Sequence, residues 1–270
     1  MLVIIRIFTA AVLACVTCAP GAAAPANVGI VLLHGLDGQS LGSAGTEGGA
    51  LVGGLRKAGY RVETPEMCWS SRRIYDHTFT DCFADIDAAI GRLRAQGATQ
   101  IILGGMSMGG NSALAYATAH PDLLGVMAIA PAHDAATLGN IPRIAAALAQ
   151  AQAAVAAGRG DAVQTYPDSN NGRRGGPAFS VRTSAQNYVS FIDPAGPANI
   201  VGDLPHISVP VIWVAGTDDP TQVQSAQDFA QIPANPLSKY VNVNSGHLGT
   251  PDAGASAMID WVRALSAAKS

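Results

Sequence analysis

Short, wholly apolar runs recur along the chain and limit its possible folds more than any other feature. VGIVLLHG from Val28, TQIILGG from Thr99, LLGVMAIAPAH from Leu123 and VPVIWVAGTDD from Val209 each end in glycine, proline or polar turn residues. A run that is apolar at successive positions, not only at alternate ones, suits a strand covered on both faces. YRVETPE from Tyr60 and YVNVNSGH from Tyr240 read as two further strands. Helical patterns fall between them. Leu51 to Ala58 closes on Arg56, Lys57 and then Gly59, and Thr80 to Gln96 sets Phe83, Ile86, Ile90 and Leu93 at helical spacing. MGGNSALAYATAH from Met108 and the segment from Ala253 to Ala268 complete the helices. Strand alternating with helix predicts an α/β fold, a mostly parallel central sheet with helices on both faces.

The chain has 270 residues, 49% hydrophobic and 13% charged, enough for a substantial core in one domain. Its net charge of −3 comes without runs of like charge, which argues against nucleic acid or an anionic membrane surface as a partner. A small, weakly charged substrate is expected. Oligomeric state is not readable from the residues.

The first 26 residues join an early Arg6 to an apolar run and then to small residues ending in alanines, the pattern of a secretory signal peptide. A stable membrane span would need roughly twenty apolar residues. Export is therefore expected, to the periplasm or the medium. Cleavage after Ala26 is favoured because Pro25 would make a poor first mature residue, and a cut after Ala23 is an alternative. Val12-Leu13-Ala14-Cys15 resembles a lipobox with an unusual Leu13, which leaves lipid anchoring at Cys15 as the less favoured outcome. The mature chain then runs from residue 27 to 270 and keeps only Cys68 and Cys82. In an oxidising compartment these are expected to form a disulfide, which would contribute about 3 kcal/mol in the loop-entropy picture.

Between about residues 135 and 205 the strand and helix alternation breaks. Ile141 to Arg159 is alanine-rich and helical, whereas GRGDAVQTYPDSNNGRRGGPAFSVRTSAQNY reads as polar and irregular. So long an insertion between core strands is expected to be a small cap over the carboxyl ends of the strands.

Candidate chemistry centres on Gly105-Met106-Ser107-Met108-Gly109, a G-x-S-x-G pattern with an apolar strand before it and a helix after it. Glycines on either side permit the tight turn that lifts a serine hydroxyl clear of the sheet, and the helix amino terminus favours developing negative charge. A serine nucleophile needs a base that is itself oriented by a carboxylate. His247 follows the last strand and is the preferred base, while Asp218 and Asp219 stand side by side after the preceding strand. His34 ends the first strand and is expected to shape the adjoining loop or line the site. His133, after a core strand, is a further candidate for the pocket. Trp69, Tyr188 and Phe191 are candidates for an apolar pocket wall, with a buried core role equally open for Trp69. Gly35-Leu36-Asp37-Gly38-Gln39-Ser40 lacks the lysine of a phosphate loop, and no metal-ligand spacing or dinucleotide fingerprint appears, so no cofactor and no metal are expected.

Taken together, LLHG, GMSMGG, GTDD and the Gly246-His247 pair resemble the α/β-hydrolases of the esterase, lipase and dienelactone-hydrolase type over nearly the whole mature chain. The chain order Ser, Asp, His is theirs. The resemblance implies a carboxylic-ester substrate, small or lipid-like. It implies Asp219, fourth in G-x-x-D, as the triad acid with Asp218 as the alternative, and backbone N–H groups of Leu36 and Met108 as the oxyanion donors. Met106 departs from the histidine common before the nucleophile in that family. Acyl transfer on the same triad, or a non-catalytic binding protein of the same fold, are the alternative functions.

Overall fold

The computed structural model describes residues 27–169 and 179–268. The signal peptide expected over residues 1–26, and the alternative anchor at Cys15, lie outside the described residues. The chain forms β1 (Val28–Leu33), α1 (Gly49–Lys57), β2 (Arg61–Glu63), α2 (Phe83–Ala95), β3 (Gln100–Met106), α3 (Met108–Ala119) and β4 (Gly125–Ile129). An insertion follows, with α4 (Ala135–Leu138), α5 (Pro142–Ala156), β5 (Val163–Pro167), β6 (Ser180–Ser184), α6 (Ala185–Ile192) and α7 (Ile200–Asp203). The alternation then resumes through β7 (Val211–Gly216), α8 (Ser225–Phe229), β8 (Lys239–Val243), α9 (Thr250–Ala253) and α10 (Ala255–Ala268).

Six strands pair in the order β2-β1-β3-β4-β7-β8, every pair parallel. Alternate residues of one strand serve opposite cores, as the period of two requires. Val31 and Leu33 join α2 (Ile86, Ile90, Leu93) and α3 (Ala113, Leu114) on one face. Ile30 and Leu32 join α1 (Leu51, Leu55) and α10 (Met258, Trp261, Val262, Leu265) on the other. Both faces are thus covered, which is why β1, β4 and β7 are apolar at every position. Because the strands are parallel, the loops after β3, β7 and β8 all leave from one edge of the sheet.

The insertion leaves after β4 and returns at β7, its direct neighbour in the sheet. Among the described residues part of its polar half is regular, contrary to the expectation from sequence: β5 and β6 form an antiparallel pair and α6 follows at once. The pair leaves little pattern in the sequence because most of its residues face solvent. Tyr166 and Val181, cross-strand partners, carry its inward face. Cys68 and Cys82 are joined as a disulfide with their Cα atoms 5.6 Å apart. Among the described residues no helix is long and apolar enough to cross a membrane.

Candidate active site

Ser107 occupies the single residue between β3 and α3, with φ 57° and ψ −121°. That backbone conformation is costly for a residue with a side chain and persists only where its surroundings enforce it. Two glycines make the enforcement possible. A Cβ on Gly105 would collide with the Gly109 backbone, and one on Gly109 would come within 2.6 Å of the Leu33 carbonyl oxygen. Hydrogen bonds fix the rest: Ser107 N–H donates to the Ile129 carbonyl at 3.0 Å, and the Ser107 carbonyl accepts from Asn111 N–H at 3.0 Å and Ala132 N–H at 3.2 Å. Ser107 itself stays partly exposed at the carboxyl edge.

His247 begins a short 3-10 turn after β8, and Asp219 lies in the loop after β7. The His247 Nδ1 and Asp219 Oδ2 atoms are 2.6 Å apart. Asp218 is exposed, so of the adjacent aspartates it is Asp219 that meets the imidazole. Thr221 holds the other carboxylate oxygen, its N–H donating to Asp219 Oδ1 at 2.9 Å and its hydroxyl at 2.8 Å. Burial alone would push the Asp219 carboxyl up, but His247 and the two Thr221 donors together hold it below the usual carboxylate range. A second brace comes from Gln222, whose amide donates to the Pro131 carbonyl at 2.8 Å and so ties the Asp219 loop to the end of β4. Sequence reasoning missed Thr221 and Gln222. The available signal was Asp-Pro-Thr, a turn in which the aspartate accepts from the backbone two residues on.

Ser107 and His247 stand on loops of the same sheet edge, and among the described residues no hydrogen bond joins them. In unliganded enzymes such contacts are commonly long and tighten with substrate. The two expected oxyanion donors are the N–H groups of Met108, which follows the serine, and of Leu36. Met108 is the first residue of α3, where a helix leaves its N–H groups without internal partners. The Gly35 backbone, directly before Leu36, runs so close to the serine that a Cβ there would sit 3.2 Å from Ser107 Cβ.

The five candidates for a pocket wall divide, and for His34 and Trp69 the structure favours the loop-shaping and core roles that the sequence also offered. His34 is 1% exposed: its Nε2 accepts from Met67 N–H at 3.0 Å, which leaves Nδ1 to donate to the Gly35 carbonyl at 2.8 Å. Trp69 is fully buried and donates from Nε1 to the His34 carbonyl at 2.9 Å. Both therefore brace the loop that carries Leu36. Tyr188 and Phe191 are also fully buried, Tyr188 donating to the Pro167 carbonyl and Phe191 stacking on Tyr75, so they form the core of the insertion. Their apolar side chains find more burial beneath α6 than at a solvent-filled opening would be possible. Of the five, His133 lines the cavity beside the serine turn.

That cavity, about 440 Å³, opens between the end of β4, the short helices α4 and α7, and the loop from Pro220 to Ser225. Ala132 and Thr221 both line it, which puts it against the serine turn and the Asp219 loop. Asp134 and Asp228 also face it. Asp203, on nearby α7, has a buried carboxylate oxygen without a hydrogen-bond partner among the described residues, and burial together with the neighbouring Asp134 raises its carboxyl to about 7. The folded protein therefore holds a proton that the unfolded chain has released. The stability this confers is full below the ordinary value of 3.8 and is lost as pH climbs towards about 7. Thermal scans should show Asp203→Asn melting about 2–4 °C above wild type in mildly alkaline buffer, with the difference closing as the pH falls. An equal melting temperature at every pH would contradict this.

Among the described residues no group of three His, Cys, Asp or Glu side chains is close enough to hold a metal ion.

With this geometry in place, comparison with known proteins gives consistent neighbours. The profile of the alpha/beta hydrolase family matches residues 30–259. A thermostable monoacylglycerol lipase of Bacillus sp. (strain H-257) is 33% identical over 124 residues, and the match spans 45% of each chain, under half the length of that relative. Among solved structures, the monoacylglycerol lipase of Paleococcus ferrophilus superposes with a TM-score of 0.64 at 21% identity, covering 90% of this chain and 96% of that one. A structure from the work on the metagenome-derived lipolytic enzymes LipS and LipT gives 0.62 at 22% identity, covering 91% and 96%. At such identities the structural likenesses speak for the fold.

Proposed function

The chain belongs to the alpha/beta hydrolase family, and from that premise we propose that it is an exported serine hydrolase of carboxylic esters, working through Ser107, His247 and Asp219. Ser107 attacks the ester carbonyl and passes its proton to His247. Asp219 keeps the imidazole in the tautomer whose Nε2 can accept that proton, because Nδ1–H is committed to its carboxylate. The tetrahedral oxyanion is held by the N–H groups of Leu36 and Met108, each such donor supplying about 3–4 kcal/mol of transition-state stabilisation. Collapse expels the alcohol with the proton from His247, and water then repeats the sequence to release the acid.

The observation that carries this reading is the strained Ser107 backbone at the strand-to-helix turn, on the same sheet edge as a 2.6 Å imidazole–carboxylate pair. No cofactor takes part. The Cys68–Cys82 disulfide supports export, since such bonds persist in oxidising compartments. The insertion acts as a cap, and the cavity of about 440 Å³ beneath it receives the acyl chain. A cavity of this size suits small and medium ligands. Nitrophenyl butanoate or octanoate should therefore be hydrolysed with a higher kcat/KM than the hexadecanoate ester. A steady rise through hexadecanoate would refute this placement of the acyl chain, and no turnover of any ester would refute hydrolysis.

A further inference from the structure

One polar cluster near Ser107 is not used by this mechanism. His133 follows β4 in the left-handed backbone region, φ 61°, with its side chain only 4% exposed. Its Nε2 faces Asp168 Oδ1 at 2.8 Å and the Tyr75 hydroxyl oxygen at 3.1 Å. Asp168 is completely buried at the end of the β5 strand, and its second carboxylate oxygen accepts from the Tyr75 hydroxyl at 2.7 Å. Burial and the Asp168 charge push the Tyr75 hydroxyl well above its ordinary value, so it remains a donor throughout the working pH range. The other imidazole nitrogen, Nδ1, is buried and has no partner among the described residues. The ring is thus held through Nε2 alone.

What it holds is the serine turn. The His133 carbonyl accepts from Asn111 Nδ2 at 3.0 Å, and the same amide reaches the Ala198 carbonyl at 3.1 Å. Asn111 N–H and the N–H of Ala132, the residue before His133, are the two donors to the Ser107 carbonyl. Ala130 also has positive φ, 40°, so the segment from Ala130 to His133 is strained at both ends. Strain of this kind needs an external clamp. Tyr75 anchors the clamp from the disulfide loop: its carbonyl accepts from Thr183 Oγ1 and Asn187 Nδ2 of the insertion, and its ring stacks on Phe191 at 3.8 Å.

We infer that Asp168 is a positioning residue for the catalytic serine: carried by the insertion, it clamps His133 through Nε2 and thereby fixes the backbone that pins the Ser107 carbonyl. The insertion is then part of the catalytic apparatus as well as a roof over it. The inference rests on the reading of Ser107 as nucleophile.

The test compares wild type with Asp168→Asn, Tyr75→Phe and the double variant. It uses nitrophenyl acetate, whose acyl group is too small to depend on the cavity wall, together with hydrogen exchange of the peptides spanning Ser107–Asn111 and Ala130–His133. Asp168→Asn should lower kcat about 10- to 100-fold with KM little changed, since small misplacements of a reacting group have effects of that size. Tyr75→Phe, which removes one hydroxyl, should give a smaller loss of kcat in the same pattern. The double variant should fall less than the product of the two, because both act through one clamp. Exchange in both peptides should accelerate. Unchanged kcat and unchanged exchange in the single variants would overturn the inference, as would a loss confined to KM. Should Asp168→Asn fail to fold, Tyr75→Phe alone decides by the same readings. A wild type that hydrolyses no ester would refute the nucleophile reading, whereas the exchange result would still report on the clamp.

Discussion

Replacing Ser107 by alanine is expected to lower kcat for nitrophenyl ester hydrolysis by at least about 10⁴-fold while leaving the fold intact. Members of a nucleophile–base–acid unit act together, so removing the nucleophile forfeits most of the rate enhancement and leaves only what the oxyanion donors and binding supply. The size of the effect follows from the proposed role of Ser107 as the nucleophile that forms the acyl-enzyme. Ser112, the nearest serine in sequence, is completely buried in α3. Alanine meets the same φ of 57° as serine, and the packing of Gly105 and Gly109 against the turn is untouched. Circular dichroism and melting temperature close to wild type, alongside the lost turnover, would separate lost chemistry from lost structure. Retained turnover would remove Ser107 from the mechanism.

The second large effect is expected at Asp219. Asp219→Asn should reduce kcat by about 10⁴-fold at neutral pH, since an amide facing Nδ1 favours the wrong imidazole tautomer and cannot stabilise the imidazolium. Thr221 sharpens the prediction. Its N–H and hydroxyl both donate to Asp219 Oδ1, so an asparagine would present its oxygen to those donors and turn its NH₂ group towards His247. Nε2 would then carry the proton and be unable to accept one from Ser107. The neighbouring exposed carboxylate serves as the control, and Asp218→Asn should change kcat less than about 2-fold, as exposed sites commonly do. Equal losses at both positions would mean that the loop as a whole is needed, and that the single 2.6 Å contact is not.

The sheet was legible because its inner strands are covered on both faces and so are continuous in apolar character, as VGIVLL and VIWVAG are. The serine turn was legible for a similar reason, since only glycine fits where Gly105 and Gly109 approach the backbone of their neighbours. What could not be read concerns contacts between distant residues. The β5–β6 pair turns mostly polar residues outward, and of its buried residues Tyr166, Val181 and Thr183 only the first two carry an apolar signal. Trp69, Tyr188 and Phe191 looked like wall residues because they are aromatic and lie near strand ends or in the insertion. Whether an aromatic ring is core or lining depends on the layer above it, which local pattern does not report. Likewise the partners of His133, Tyr75 and Asp168, lie 58 and 35 residues away, beyond the reach of local pattern. The choice between Asp218 and Asp219 turned on which side chain the loop buries, a one-residue distinction that spacing alone leaves open.

The most direct measurement is to treat the purified protein with a small fluorophosphonate and locate the adduct by peptide mass spectrometry. A phosphonyl group forms a stable ester only with an activated serine, so the experiment reports nucleophile, base and oxyanion donors together and needs no knowledge of the natural substrate. The expected result is a single adduct on the peptide containing Ser107, formed at the rate at which ester hydrolysis is lost and absent from Ser107→Ala. Full loss of hydrolysis with Ser107 unmodified, or an adduct on another serine, would contradict the account.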